Sequence, residues 1–269
     1  FRGGPFRGGH DHPDRLAVYL DAPGGPVAPD LGEPGYSLRS ETEDYYRRSI
    51  SHNGLFAEER DNRGDAAVEW RFEASPPRAR GVIEQHGGVR YERTVYFDPP
   101  FIVLVDQYEG SEAHRYGWAF HARGELAFLN AEPSLAVTEE PPLGMPPIPE
   151  QGAGYAMLTG RSAVQVDDSL QARWALPKGR FLDGFILSDA SFEATRARSA
   201  GHPFPEDRGA LILRAPGKSR KFITVFHLHE GTSAIKDVTH VSGHTRLHLS
   251  NGHQRIYAWE TGATSENTE

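Results

Sequence analysis

The stretch "RGGHDHPDRL", residues 7–16, sets His10 and His12 one residue apart and adds Asp11 and Asp14 beside them. In extended backbone, side chains two positions apart point to the same side. One metal could then receive both imidazoles, or one ring could ligate while its neighbour faces a substrate. The competing reading is a pair of exposed histidines in a polar turn. Asp30, in "APDLGEPGY", follows one apparent strand and one turn later, and an antiparallel return brings such a residue back beside its starting point. His52, in "SISHNGL", offers a third donor. Two imidazoles and one carboxylate with an open fourth position suit Zn2+, and other divalent ions accept similar donors. Against this, Asp30 could cap a turn, and His52 could bond the backbone at the Asn53-Gly54 turn.

Such groups need a frame, and the sequence supplies strands. Of 269 residues, 38% are hydrophobic and 10% aromatic, enough for a large core, while 20 prolines recur to the end and discourage long helices. "LAVYL" (16–20) reads as a strand, and the Gly/Pro-rich "DAPGGPVAPDLGEPGY" after it as a loop. "ETEDYYRR" has a short, charged, helix-like start. Strand runs follow: "AAVEWRFEA", "ARGVIEQH", "VRYERTVYF", "FIVLVDQYEG", "HRYGWAFHA" and "ELAFLNA". The proline-rich 139–154 reads as a surface loop between two halves of one sandwich. Beyond it come "SAVQVDD", "ARWALP", "FLDGFILSDA", "ALILRAP", "KFITVFHLHEG", "TRLHLS" and "QRIYAWET", with Asn251-Gly252 as a hairpin signal between the last two. The expectation is an all-β chain, a large antiparallel β-sandwich of two jelly-roll-like sheets over residues 1–262, with a frayed tail at 263–269.

Net charge is −8, from 29 Lys+Arg and 37 Asp+Glu, so no basic field for nucleic acid is expected. A local cluster of Arg15, Arg39, Arg47 and Arg48 keeps anionic ligands open. With no cysteine, disulfides, thiolate metal sites and Cys nucleophiles are excluded. No apolar run approaches the roughly 18 residues that span a bilayer, so no membrane partner is expected. No feature selects a compartment.

In order and within about 55 residues, "GGHDHPDRLAVYLDAPGGPVAPDLGEPGY" and "YYRRSISHNGL" resemble the start of the carboxy-terminal β-sandwich of heparinase II/III-like polysaccharide lyases. That group also contains alginate lyases. The resemblance implies that His12, Asp30 and His52 are ligands of a divalent metal, with Zn2+ favoured, and that His10 faces the pocket. It implies a cleft tyrosine at Tyr36, with Tyr45 or Tyr46 as alternatives. The implied activity is that of a carbon-oxygen lyase acting on an anionic, uronic-acid polysaccharide by β-elimination. Tyr36 and His10 would handle the protons, and the metal would be largely structural. Arg47, Arg48 and Asn53 are candidates for substrate-side groups, although charged residues beside a turn are more often merely solvated.

The family's sandwich is normally preceded by an α/α-toroid domain, which this chain lacks. It begins at "FRGGPFRGG" without Met, and a fragment whose partner segment precedes it is expected. Rival readings are a non-catalytic carbohydrate-binding sandwich and a cupin-like jelly-roll metalloenzyme, though the cupin pattern wants a Glu after the pair where "PDRLAV" stands. The second pair, His227 and His229, and the series His240, His244 and His248 read as strand histidines rather than a second metal site. His114 and His121, seven apart, fall on opposite strand faces.

Overall fold

Alternating apolar residues dictate strands, and the structure, a computed structural model, is built almost wholly from them. It describes residues 1–4, 11–32, 45–62, 68–75, 77–132, 135–136, 157–201, 206–241 and 243–259. The strands of the first half are β1 (Leu20–Ala22), β2 (Gly25–Ala28), β3 (Leu55–Ala57), β4 (Val68–Ala74), β5 (Pro77–His86), β6 (Val89–Asp98), β7 (Phe101–Arg123), β8 (Glu125–Phe128) and β9 (Leu135–Ala136). Those of the second half are β10 (Thr159–Val166), β11 (Ser169–Ala175), β12 (Arg180–Ser188), β13 (Phe192–Ala200), β14 (Asp207–Glu230), β15 (Ile235–Val241), β16 (His244–Leu249) and β17 (Gln254–Ala258). The proline-rich 139–154 and the tail 263–269 lie outside the described residues.

Two long antiparallel strands, β7 and β14, organise the rest. Phe226 of β14 pairs opposite Ile102 of β7, and Phe120 lies 18 positions beyond Ile102 on that strand. Along a straight strand that interval is about 60 Å. The rings of Phe120 and Phe226 are nevertheless 4.4 Å apart, so the ribbon folds back on itself. The fold-over lies where both strands turn polar, at 109–115 and 216–221, and the register breaks there between Gly217 and Ser219. Core-facing positions on β14 change from odd (Leu211, Leu213) to even (Phe222, Phe226) across the break, as an unpaired residue requires.

The fold-over makes two layers from one 12-stranded sheet. One layer runs β4-β5-β6-β7-β14-β12-β11-β8 through the first half of β7 and the second half of β14. The other joins β3, the second half of β7, the first half of β14, and then β13, β10 and β9. Trp118, Phe120, Trp174 and Phe226 fill the space between them. A separate sheet, β15-β16-β17, covers the outer face of the first layer through Val238, Leu247 and Tyr257. The outer face of the second layer is covered by Tyr45, Tyr46, Ile50 and Phe56. Gly117 leaves room for that cover, because a Cβ there would stand 2.1 Å from the Phe56 ring.

The all-β sandwich is therefore as expected, with three corrections. The runs at 101–110 and 114–122 are one strand, as are those at 210–216 and 221–231, because their polar interruptions are the fold-over. "LAVYL" is no strand before Leu20. Its backbone bonds go instead to Arg2 and Asn53, and Leu16 adopts a left-handed φ of 60°. β13 was not anticipated, since its buried apolar positions after Phe192 are all alanine, on both faces.

At the heart of the sandwich, β6 and β7 place Arg93 directly opposite Asp106, both 0% exposed. Arg93 Nε and Nη2 donate to the two Asp106 oxygens at 2.5 and 3.0 Å, and Trp118 Nε1 donates to Oδ2 at 2.8 Å. The remaining Nη1 donates to the carbonyls of Leu16 (2.7 Å) and Asn53 (2.8 Å). Burial alone would push the Asp106 pKa far up, and Arg93 then Trp118 oppose that. Replacing Arg93 with Met strands a buried carboxylate and is expected to cost about 3–5 kcal/mol in urea denaturation. The double variant Arg93→Met/Asp106→Leu should recover most of that loss.

Candidate metal centre

Three segments converge at one edge of the second layer. The first is 12–19, held by Leu16 O on Arg93 and by the Val18 N–H on Asn53 O (3.0 Å). The second is the β1–β2 hairpin, whose turn is pinned where Arg180 Nη1 donates to Pro23 O at 2.8 Å. The hairpin returns the chain so that Asp30 lies back beside Tyr19 and Asp14, as an antiparallel return requires. The third is the 3-10 turn Ser49–Ser51, which ends on His52. Ser49 Oγ donates to Pro13 O at 2.7 Å, and this bond sets the first and third segments side by side.

Of the sequence-predicted ligands, Asp30 and His52 face each other here and His12 lies beside the His52 ring, while the third carboxylate or imidazole donor set close to both is that of Asp14. His52 is fully buried, with Nδ1 3.3 Å from Asp30 Oδ1, and neither of its ring nitrogens has a hydrogen-bond partner. The His12 ring stands 5.2 Å from the His52 ring, centroid to centroid. Asp30 reaches solvent with a 38% exposed side chain, so the cluster has an entrance. Donor atoms of Asp14, Asp30 and His52 all lie within 4.8 Å of one another, the one such set of three among the described residues. Two bonds of about 2.0–2.1 Å at a tetrahedral Zn2+ place their donor atoms roughly 3.3 Å apart, the observed Asp30–His52 separation. An orphaned buried imidazole, a facing carboxylate and this spacing fit a divalent ion.

Carboxylates dominate the electrostatics of the cluster. Burial would lower the His52 pKa, but the contact and charge of Asp30, then Asp14 and Asp61, outweigh it and hold the ring above its usual value. Burial would raise Asp30, but His52, the Gly32 N–H and the Tyr19 hydroxyl hold its carboxyl well below the usual range. The Asp14 carboxyl is pushed up by burial, which the charges of His52 and Arg2 only partly offset. Asp30 does cap a turn, accepting Gly32 N–H at 3.1 Å, while also facing His52. The backbone-bonded reading of the His52 side chain is not observed.

His10 and Tyr36 lie outside the described residues. Tyr45 and Tyr46 are both 0% exposed, with Tyr46 donating to Gly201 O at 2.5 Å, so neither faces a cleft. Asn53 is structural: its side chain accepts His121 N–H at 2.7 Å and donates to His121 O at 3.3 Å, imitating a strand neighbour. Arg48 pairs with Asp61 at 3.0 Å. Asp14, set beside the histidine pair above but given no ligand role, also lies in this cluster. It follows His12 by two positions, the same spacing that singled out His10.

The sequence profile described as "Heparinase II/III-like, C-terminal" matches residues 1–236. The chain belongs to the heparinase II/III-like family. It is the carboxy-terminal domain of that family, and β16 and β17 lie beyond the matched region. Among solved structures it is similar to the heparan sulfate lyase HepC from Pedobacter heparinus, with TM-score 0.66 and 14% identity over 93% of this chain and 37% of that one. It is similar also to the heparinase III BT4657 gene product, with TM-score 0.64 and 15% identity over 97% of this chain and 38% of that one. A further structure, described as heparinase III, gives TM-score 0.62 and 14% identity over 94% of this chain and 36% of that one. The chain thus spans little more than a third of these heparinase-like neighbours. No curated protein matches it.

His121 buttresses the centre from behind: its Nε2 donates to Ile50 O at 2.7 Å, and Ser199 Oγ donates to Nδ1 at 2.9 Å. Burial lowers its pKa from 6.5 to about 4. Between those values the unfolded chain takes up a proton that the folded chain refuses, so stability falls as pH drops through that window. For this one group the loss is about 3 kcal/mol. Urea midpoints measured from pH 7 to 4 should show a clearly shallower slope in His121→Gln.

Proposed function

We propose that this domain is the β-sandwich part of a polysaccharide lyase that cleaves a uronic-acid-containing chain by β-elimination. The observation that carries the reading is the buried, unpartnered His52 ring facing Asp30 beside His12. In a member of the heparinase II/III-like family, that geometry supports the divalent site. His10 precedes His12 by two residues and Tyr36 follows Asp30 by six, so anchoring His12 and Asp30 limits where both can reach.

In the proposed reaction a base takes the C5 proton, alpha to the uronate carboxylate. The C5 electron pair forms the C4–C5 double bond, and the C4–O bond breaks with its electrons going to the leaving oxygen, which is then protonated. Tyr36 and His10 share these transfers: one accepts the C5 proton and the other supplies the leaving oxygen's proton. The difficulty is the acidity of C5, so donors or positive charge must neutralise the substrate carboxylate. A bound divalent ion, Zn2+ in the favoured reading, would be largely structural and would cross-link the three segments. His12, Asp30 and His52 hold those segments in place, which a cleft residue on a Gly/Pro-rich loop otherwise lacks.

The complete polypeptide carrying this domain should be offered a panel of uronate polymers while absorbance of the 4,5-unsaturated product is followed. Tyr36→Phe is expected to lower that rate by about 100-fold or more. If no polymer gives the product, or Tyr36→Phe is as active as the parent, the lyase reading is wrong. Sugar binding without turnover would favour the non-catalytic sandwich.

A further inference from the structure

We propose that Asp14 joins Asp30, His52 and the neighbouring His12 as a fourth protein ligand of one divalent ion, which leaves that ion no open coordination position. This rests on the metal reading above. The Asp14 side chain is 1% exposed, and one of its oxygens lies within 4.8 Å of the donor atoms of both Asp30 and His52. Its Oδ2 accepts the Tyr19 hydroxyl at 3.0 Å, while Oδ1 has Arg2 Nε at 2.8 Å as an ion-pair neighbour without a hydrogen bond. The second observation is the His52 ring, fully buried with neither nitrogen in a formed hydrogen bond and Nδ1 facing Asp30 Oδ1 at 3.3 Å.

Charge balance favours four ligands over three. Two imidazoles and one carboxylate leave a dication with a net charge of +1 beside a fully buried ring, and buried net charge is costly. Adding Asp14 makes the ligand set itself neutral, and the charge of Arg2 beside Asp14 is offset by Asp11. Two nitrogens and two oxygens also make up the donor count of a closed tetrahedral site, whereas a catalytic zinc keeps one position open. Tyr19 ties the two carboxylates together, donating to Asp14 and touching Asp30, and so orients both. An ion held in this way joins residues 12–14, 30 and 52 and has no position left to activate water.

Zinc affinity of the purified chain, measured by competition with a chromophoric chelator, tests this together with the visible spectrum of the Co2+-loaded protein. The parent should bind one equivalent, and its Co2+ bands should stay unchanged when azide is added. Asp14→Asn keeps the side-chain shape and should weaken zinc by about 100-fold, while making the Co2+ bands responsive to azide. If Asp14→Asn retains parental zinc affinity while His52→Gln loses the metal, Asp14 is not a ligand and the proposal is overturned. A parent spectrum that shifts with azide also overturns the closed site, whether or not the variant folds. A parent chain that takes up no zinc overturns both readings.

Discussion

The buried pair of Arg93 and Asp106 is the interaction on which the rest is hung. Two opposite charges in register on neighbouring strands lie fully out of water, where an unpaired charge would be untenable. The carboxylate is satisfied by the guanidinium and by Trp118, which ties β6 to both halves of β7. The donor left over is what matters for the site. It is shared by the carbonyls of Leu16 and Asn53, two loop segments that have no full ladder of their own. One segment carries His12 and Asp14; the other follows His52 directly. A core ion pair thereby fixes the spacing of a cluster at the sheet edge.

Much of the frame was legible in the sequence, because period-two alternation marks strands wherever one face is buried. Legibility failed where physics beyond alternation decides. Residues 16–20 alternate like a strand but spend their backbone bonds on Arg2 and Asn53. The polar breaks inside β7 and β14 look like hairpin turns, although they are a bend made by two strands together. β13 hides because Ala194, Ala197 and Ala200 carry little apolar signal, yet suffice against a tightly packed neighbour.

At the centre, His12, Asp30 and His52 were readable from residue type, spacing and family resemblance, and the fold sets Asp30 against His52 with the His12 ring beside it. Asp14 was not, because aspartate beside proline is the ordinary material of turns. Arg93 and Asp106 did carry a signal. On β6 the inward series is Val89, Tyr91, Arg93, Val95, and on β7 it is Leu104, Asp106, Tyr108, so each strand places a charge where only an apolar residue belongs. One such charge is an oddity. Two of opposite sign on consecutive strands predict a buried pair.

The folded-over ribbon has a consequence for how the chain must be made. Each layer needs both β7 and β14, strands separated by more than 80 residues of intervening chain. Neither layer can close while that interval is still being synthesised. Until β14 leaves the ribosome, Trp118, Phe120 and the rest of the inward face of β7 have no cover from their long-range partner, and such exposed apolar strands are prone to aggregate. Closure must wait for late, distant pairings, which makes assembly slow.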